Sequence, residues 1–203
     1  MEKSVRDIYD GLAESYDKNR GFFDMSEVFN SFYGRLNRET GDLLDLGCGA
    51  GEPFDRMFAD HGWRITGVDV SERMLALASR YVPEMNAVCA DMRRIEFDAG
   101  IFDAVIAVYS LFHIPGSEHA AMFSKIHHWL RPNGRALFTY ATKEYTGNDE
   151  FDGYKEFMGQ KLFYSHKRPD ELYSILKKIG FTVESADYLN IGGEVFLWVT
   201  VIR

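Results

Sequence analysis

Apolar residues fall in short blocks along the chain, and the blocks alternate between the spacing of a buried strand and that of an amphipathic helix. Strands are predicted at 43–46, 64–69, 87–90, 181–184 and 195–202. Helices are predicted at 53–61, 71–81, 118–130 and 169–179, stopped by Gly62, near Pro83, by Pro132 with Gly134, and by Gly180. Ser71 and Ser117 are the cap candidates. A helical segment precedes the first strand, and a polar and aromatic connection, 144–167, is too long for a simple link, which makes it a candidate lid. Alternation of strand and helix predicts a parallel sheet covered on both faces.

The first strand carries the chemistry. Leu43, Leu44 and Leu46 run into Gly47-Cys48-Gly49-Ala50-Gly51, and Pro53 suits the first position of a helix. Three glycines between strand and helix permit a tight turn whose backbone comes close to a nucleotide-like ligand. The strict dinucleotide fingerprint needs its third glycine three residues after the second; that place holds Glu52, which counts against a nicotinamide or flavin cofactor. About 20 residues further on the second strand ends in Asp69, an acid able to accept hydrogen bonds from two ribose hydroxyls. The third strand also ends in a carboxylate, Asp91.

These strand ends, together with Phe102–His113 and Arg131–Phe138, resemble the class I S-adenosylmethionine-dependent methyltransferases over nearly the whole chain. The resemblance implies a doubly wound, mostly parallel seven-stranded α/β sheet with helices on both faces, its last strand antiparallel and inserted between the fifth and sixth. It implies one domain: an N-terminal cap (1–40), a cofactor core (41–141), the lid (142–168) and a C-terminal helix with strands (169–203). S-adenosylmethionine is the implied cofactor, leaving as S-adenosylhomocysteine. Asp45, Gly47, Cys48, Gly49 and Gly51 would embrace its methionine part, Asp69 with Val70 and Met74 the ribose side, and Asp91 with Met92 the adenine; Ala107 would border the site from the fourth strand. Tyr9 and Tyr16 share one helical face. Tyr16, and Tyr9 beside it, would reach the cofactor carboxylate or sulfonium, or would simply dock an aromatic helix.

The implied reaction is direct displacement at a methyl group already activated by sulfonium, so positioning carries most of the rate. A base is needed only if the nucleophile must lose a proton. His113, just past the fourth strand, has the pKa for that work, or it fixes loop geometry through backbone bonds. Tyr164 and His166 in the lid could contact substrate or act as an acid/base pair; alternatively they cap the next helix and pack the lid. His61, His119, His127 and His128 have no partner at a telling spacing. Phe22, Phe23, Tyr109, Phe112, Tyr140, Phe163, Tyr164 and Trp198 favour a flat or partly apolar acceptor, although rings must also fill a core.

Composition narrows the partners. A chain of 203 residues with 46% hydrophobic content and 15% aromatics can bury one sizeable core. A net charge of -8 disfavours nucleic acid, and Arg93, Arg94, Lys161, Lys167 and Arg168 read as scattered surface cations. The Asn/Asp-Pro-Pro-Tyr motif that goes with methylation of base or amide nitrogens is replaced after the fourth strand by Val108–His113. No run approaches the roughly 20 apolar residues of a membrane span, and the start lacks a secretory segment, so a cytoplasmic location is expected. Cys48 and Cys89 have no metal or disulfide spacing and read as small buried thiols; no metal is expected. The leading expectation is therefore methyl transfer to a small molecule, with an RNA- or protein-modifying methyltransferase, a noncatalytic S-adenosylmethionine-binding protein and, least, an NAD-dependent oxidoreductase as alternatives. Oligomeric state and the methylated atom are not set by the sequence.

Overall fold

The computed structural model describes residues 3–19 and 24–203. In chain order the strands are β1 (Asp42–Leu46), β2 (Arg64–Asp69), β3 (Asn86–Cys89), β4 (Phe102–Ala107), β5 (Leu130–Tyr140), β6 (Phe151–Phe157), β7 (Gln160–His166), β8 (Thr182–Ile191) and β9 (Glu194–Ile202). The helices are α1 (Val5–Asn19), α2 (Ser26–Arg35), α3 (Phe54–Asp60), α4 (Glu72–Tyr81), α5 (His119–Trp129), α6 (Lys143–Thr146) and α7 (Pro169–Ile179). Seven strands form one sheet in the order β3-β2-β1-β4-β5-β9-β8, parallel from β3 to β5, with β9 antiparallel to both of its neighbours.

Alternation within each strand divides the core into two layers. Leu43, Ala104, Ile106 and Leu137 pack toward Phe29, Phe32, Phe58 and Leu75, from α2, α3 and α4. Leu44, Leu46, Val105, Ala107 and Phe138 pack on the other side against Met122, Ile126, Trp129, Leu172 and Leu176 of α5 and α7. Every residue of β4 is buried, as a strand covered on both faces requires. The sheet is doubly wound, in agreement with the reading from sequence.

Local chemistry sets the element ends. The Ser71 hydroxyl accepts from Met74 N at 3.1 Å and caps α4. Pro169 opens α7, and Gly180, at φ 113°, ends it in the left-handed region. Ser117 is not a cap: a single 3₁₀ turn, Gly116–Glu118, leads into α5, and Glu118 at the cap position makes no side-chain capping bond. Cys48 is buried, but Cys89 is exposed, contrary to expectation, because β3 is the edge strand. The long connection is not irregular: after α6 it forms an antiparallel hairpin of β6 and β7, turned by Met158 at φ 48° and Gly159 at φ 73°.

Buried polar groups pin that hairpin to the sheet. His119 Nε2 donates to the Ile114 carbonyl (3.2 Å) and lies 3.0 Å from Ser165 Oγ, while its Nδ1 accepts from the Tyr140 hydroxyl at 2.9 Å. The same hydroxyl accepts from Lys167 N at 2.9 Å, and Ser165 Oγ donates to the Ile114 carbonyl. His119 thus has two side-chain partners that its sequence spacing concealed. Burial lowers its pKa to about 4, so it is neutral and its tautomer is fixed by these bonds.

Candidate functional site

The strand order reverses between β1 and β4. Connections leaving these neighbours diverge to opposite sides of the sheet and open a crevice at the carboxyl ends, where ligands bind in folds of this kind. Here the crevice is a cavity of about 840 Å³, near the upper end of the roughly 300–1,000 Å³ typical of small-molecule sites. The glycine loop, the ends of β2, β3 and β4, helix α1, the β6–β7 hairpin and the β8–β9 turn all contribute to its wall.

Gly47, Gly49 and Gly51 have φ values of 84°, 52° and 78°, so every second residue of the turn is in the left-handed region. A Cβ at Gly47 would stand 2.4 Å from Ser110 Cβ, whereas one at Gly49 would meet no heavy atom within 4 Å. Gly49 is therefore bare backbone facing open cavity. Its N–H donates to Asp69 Oδ2 at 2.9 Å, and Ser71 N donates to Asp69 Oδ1 at 2.8 Å. Each carboxylate oxygen keeps a further lone pair, at the wall of the cavity. Burial raises the Asp69 pKa against the opposing effect of those backbone donors.

Beside this acid the wall continues through Val70, Met74, Asp91 and Met92. Asp91 is clamped by Arg93, whose Nη2 lies 2.7 Å from Oδ2 and whose backbone N–H donates to Oδ1 at 2.9 Å. Burial works against ionisation of Asp91, but the bonds from Arg93 outweigh it and hold its pKa low.

Helix α1 closes the crevice from above. Asp10 accepts from Ser71 Oγ (2.6 Å) and Arg73 N (3.2 Å), and Arg6 Nε donates to the Val70 carbonyl at 2.8 Å. These bonds tie the helix to the edge that Asp69 begins, and place Tyr9 and Tyr16 on the cavity. The Tyr9 hydroxyl donates to His113 Nε2 at 3.0 Å, while His113 Nδ1 donates to the Phe163 carbonyl at 2.8 Å. Burial lowers the His113 pKa to about 4.

Most of the residues singled out from sequence meet here. Tyr16, Gly47, Gly49, Asp69, Val70, Met74, Asp91 and Met92 line the cavity, and so do His113 and Tyr164. Asp45, Cys48, Gly51 and Ala107 do not. Gly51 packs on Val82, and Asp45 is buried against Asp55 of α3. Burial raises the pKa of both carboxyls, Asp45 further by the charge of Asp55, and Asp55 to about 7. His166 also misses the cavity: it shares a strand face with Tyr164 but stands at the last position of β7, paired with Phe151 at the end of the hairpin away from its tip, where it is buried and bonded to Thr146 Oγ1 at 2.7 Å. Among the aromatic candidates Tyr109 and Phe112 line the cavity, Tyr140 and Trp198 are core, Phe163 stacks edge-on with Tyr154, and Phe22 and Phe23 lie outside the described residues.

Sequence reading missed Glu194 and Phe196 of β9, which the β8–β9 turn delivers to the wall. The signal was Gly192-Gly193, both at positive φ, a two-residue hairpin turn.

Residues 43–134 match the family model described as a methyltransferase domain. The chain is 30% identical over 202 residues to 27-O-demethylrifamycin SV methyltransferase of Amycolatopsis mediterranei, covering 88% of this chain and 74% of that protein. The chain belongs to the S-adenosylmethionine-dependent methyltransferases. A second relative, phosphoethanolamine N-methyltransferase 2 of Caenorhabditis elegans, is 29% identical over 68% of this chain and 32% of its own length. The chain spans between 30% and 54% of the length of that protein and three other curated relatives. A solved structure, the 1,6-didemethyltoxoflavin-N1-methyltransferase of Burkholderia thailandensis, shares the fold with a TM-score of 0.69 at 21% identity, covering 97% of this chain and 87% of that one. The family's cofactor is S-adenosylmethionine, and the residues present suit it: bare backbone at Gly49, a carboxylate with free lone pairs at Asp69, and aromatic hydroxyls opposite. Among the described residues no helix is long and apolar enough to cross a membrane.

Proposed function

We propose that this methyltransferase transfers the cofactor methyl group to a small-molecule nucleophile. The observation that carries the reading is the single cavity that joins the glycine loop and Asp69 to a ring-lined half beneath α1 and the β6–β7 hairpin. A compartment roofed in this way suits a compact acceptor better than a polymer. The matched relatives named for rifamycin and phosphoethanolamine substrates are consistent with it.

The bound cofactor supplies a methyl group on a sulfonium, which needs no covalent help from the protein. Asp69 accepts the ribose hydroxyls through the lone pairs that Gly49 and Ser71 leave free. The Gly47–Gly51 backbone takes the methionine part, with Tyr16 beside it, and Val70, Met74, Asp91 and Met92 border the nucleoside. Tyr164, stacked on Phe112 at 5.3 Å, and Tyr109 form the acceptor side. His113, neutral and donating from Nδ1 to Phe163, holds Nε2 as an acceptor; it positions Tyr9 and is available to take a proton if Tyr9 swings away. The 142–168 segment acts as a lid, with Phe157 and Met158 at the hairpin tip bordering the cavity.

Incubation with S-adenosylmethionine and two acceptor pools, one of small metabolites and one of transfer RNA and peptides, tests the reading by mass spectrometry. Methylated products arise in the small-molecule pool. Products confined to the RNA or peptide pool contradict it.

A further inference from the structure

The acceptor half of the cavity has a charge pattern of its own. Tyr164, Phe112 and Phe196 stack in series, at 5.3 Å and 5.1 Å between centroids, and Tyr109 meets Phe196 edge-on at 5.2 Å. Glu194, the first residue of β9, lines the cavity beside them. Its charge reaches the hydroxyls of Tyr9, Tyr109, Tyr145 and Tyr164, and in each case pushes the phenol pKa upward. Burial raises the pKa of Glu194 itself, partly offset by the charge of Lys155. Lys155 does not line the cavity: it sits 4.3 Å over the Tyr145 ring and donates to the Tyr145 carbonyl at 2.6 Å.

Among the described residues the one cationic side chain on the wall is Arg93, and it is paired with Asp91 and Glu118. Among the described residues no free cation therefore stands ready for a carboxylate or phosphate on the acceptor. Ring faces and a carboxylate are instead the two elements that recognise a protonated amine, the first through the ring quadrupole and the second through a charge-assisted bond.

We propose that the methyl acceptor is a small amine, held with its nitrogen toward Glu194 and its apolar body against Phe112, Tyr164 and Phe196. This rests on the reading of the cavity as a methyl-transfer site. The amine arrives as an ammonium ion and gives a proton to Glu194 or to water. Its freed lone pair forms the new C–N bond as the C–S bond breaks, with that bond's electron pair staying on sulfur. The positive charge passes from sulfur to nitrogen, and loss of one further proton to solvent leaves the neutral methylated amine. Glu194 thus both selects the acceptor and takes its proton.

The test uses the full chain saturated with S-adenosylhomocysteine and three probes of one shape: benzylamine, benzyl alcohol and benzoate. Calorimetric titration is expected to give benzylamine about tenfold tighter binding than benzyl alcohol, with benzoate weakest. Glu194→Gln is expected to remove that preference while S-adenosylhomocysteine binds as before. Equal binding of the three probes, preference for benzoate, no binding of benzylamine, or a preference that survives Glu194→Gln overturns the proposal. Failure of S-adenosylhomocysteine to bind the wild-type chain would instead strike the methyl-transfer reading beneath it.

Discussion

The Tyr9 hydroxyl donates to His113 Nε2 at 3.0 Å and joins helix α1 to the exit of β4, two segments 104 residues apart. The bond is possible because Phe163's carbonyl takes the Nδ1 proton, which leaves Nε2 as the acceptor of a neutral ring. Tyr9→Phe removes the donor and frees Nε2 for a proton. The His113 pKa, near 4 in the wild type, then moves up toward the ordinary 6.5, incompletely because burial remains its main cause. Carbon and nitrogen shifts of the His113 ring followed against pH read this directly; an unmoved titration contradicts the pairing.

The same low pKa has a stability consequence. The unfolded imidazole binds a proton near pH 6.5 and the folded one only near 4, so stability contributed by neutral His113 and His119 is lost as pH falls from 6.5 through 4. Asp45 and Asp55 act in the opposite sense. A carboxyl whose folded pKa is raised stabilises below its unfolded value and loses that contribution as pH rises, here between about 4 and 7. Asp55→Asn puts a neutral amide of the same shape beside Asp45 in place of the second charge. Its Tm exceeds that of the wild type at pH 8 by several degrees, at about 2–4 °C per kcal/mol, and the gap closes toward pH 4. A gap independent of pH would show that the pair is not protonated as described.

Two neighbouring glycines predict different failures. At Gly47 a methyl group meets Ser110 Cβ at 2.4 Å in a left-handed backbone, so Gly47→Ala destabilises the fold by about 1–3 kcal/mol. At Gly49 the methyl meets nothing, and Gly49→Ala folds with a smaller loss but fills space in the cavity. Thermal melts paired with cofactor titrations separate the two: Gly47→Ala loses both stability and binding, Gly49→Ala mainly binding. The reverse order would mean that the loop is not the cofactor cradle.

How much of this was legible in sequence depended on range. The strand–glycine–helix unit at 43–54, the end of β2 at Asp69 and the cap at Ser71 are written in adjacent residues, and there the elements fall where the sequence puts them to within one residue, with Pro53 capping α3 instead of opening it. The β6–β7 hairpin was not visible, because Phe151, Tyr154 and Phe157 break strict alternation with Gly153, and the turn at Met158-Gly159 lacks the usual Asn-Gly or Asp-Gly. His166 stood out in sequence beside Tyr164, and His119 had no partner at a telling spacing. Only the folded β7, with Ser165 between the sheet and the Ile114 carbonyl, shows His119 locked to Tyr140 and His166 turned toward Thr146. Glu194 escaped notice for the same reason: its neighbours in the cavity come from α1, β4 and β7.

The central claim is that Asp69 and the glycine loop hold S-adenosylmethionine. Calorimetric titration of the wild-type chain and of Asp69→Ala with S-adenosylhomocysteine, with NAD as the control ligand, tests it most directly. Two hydroxyl bonds to a charged acceptor contribute about 1.5–3 kcal/mol each, so the variant should lose about a hundredfold or more in affinity while remaining folded, and NAD should bind neither protein. Equal affinity in the two proteins, or preference for NAD, would contradict the account.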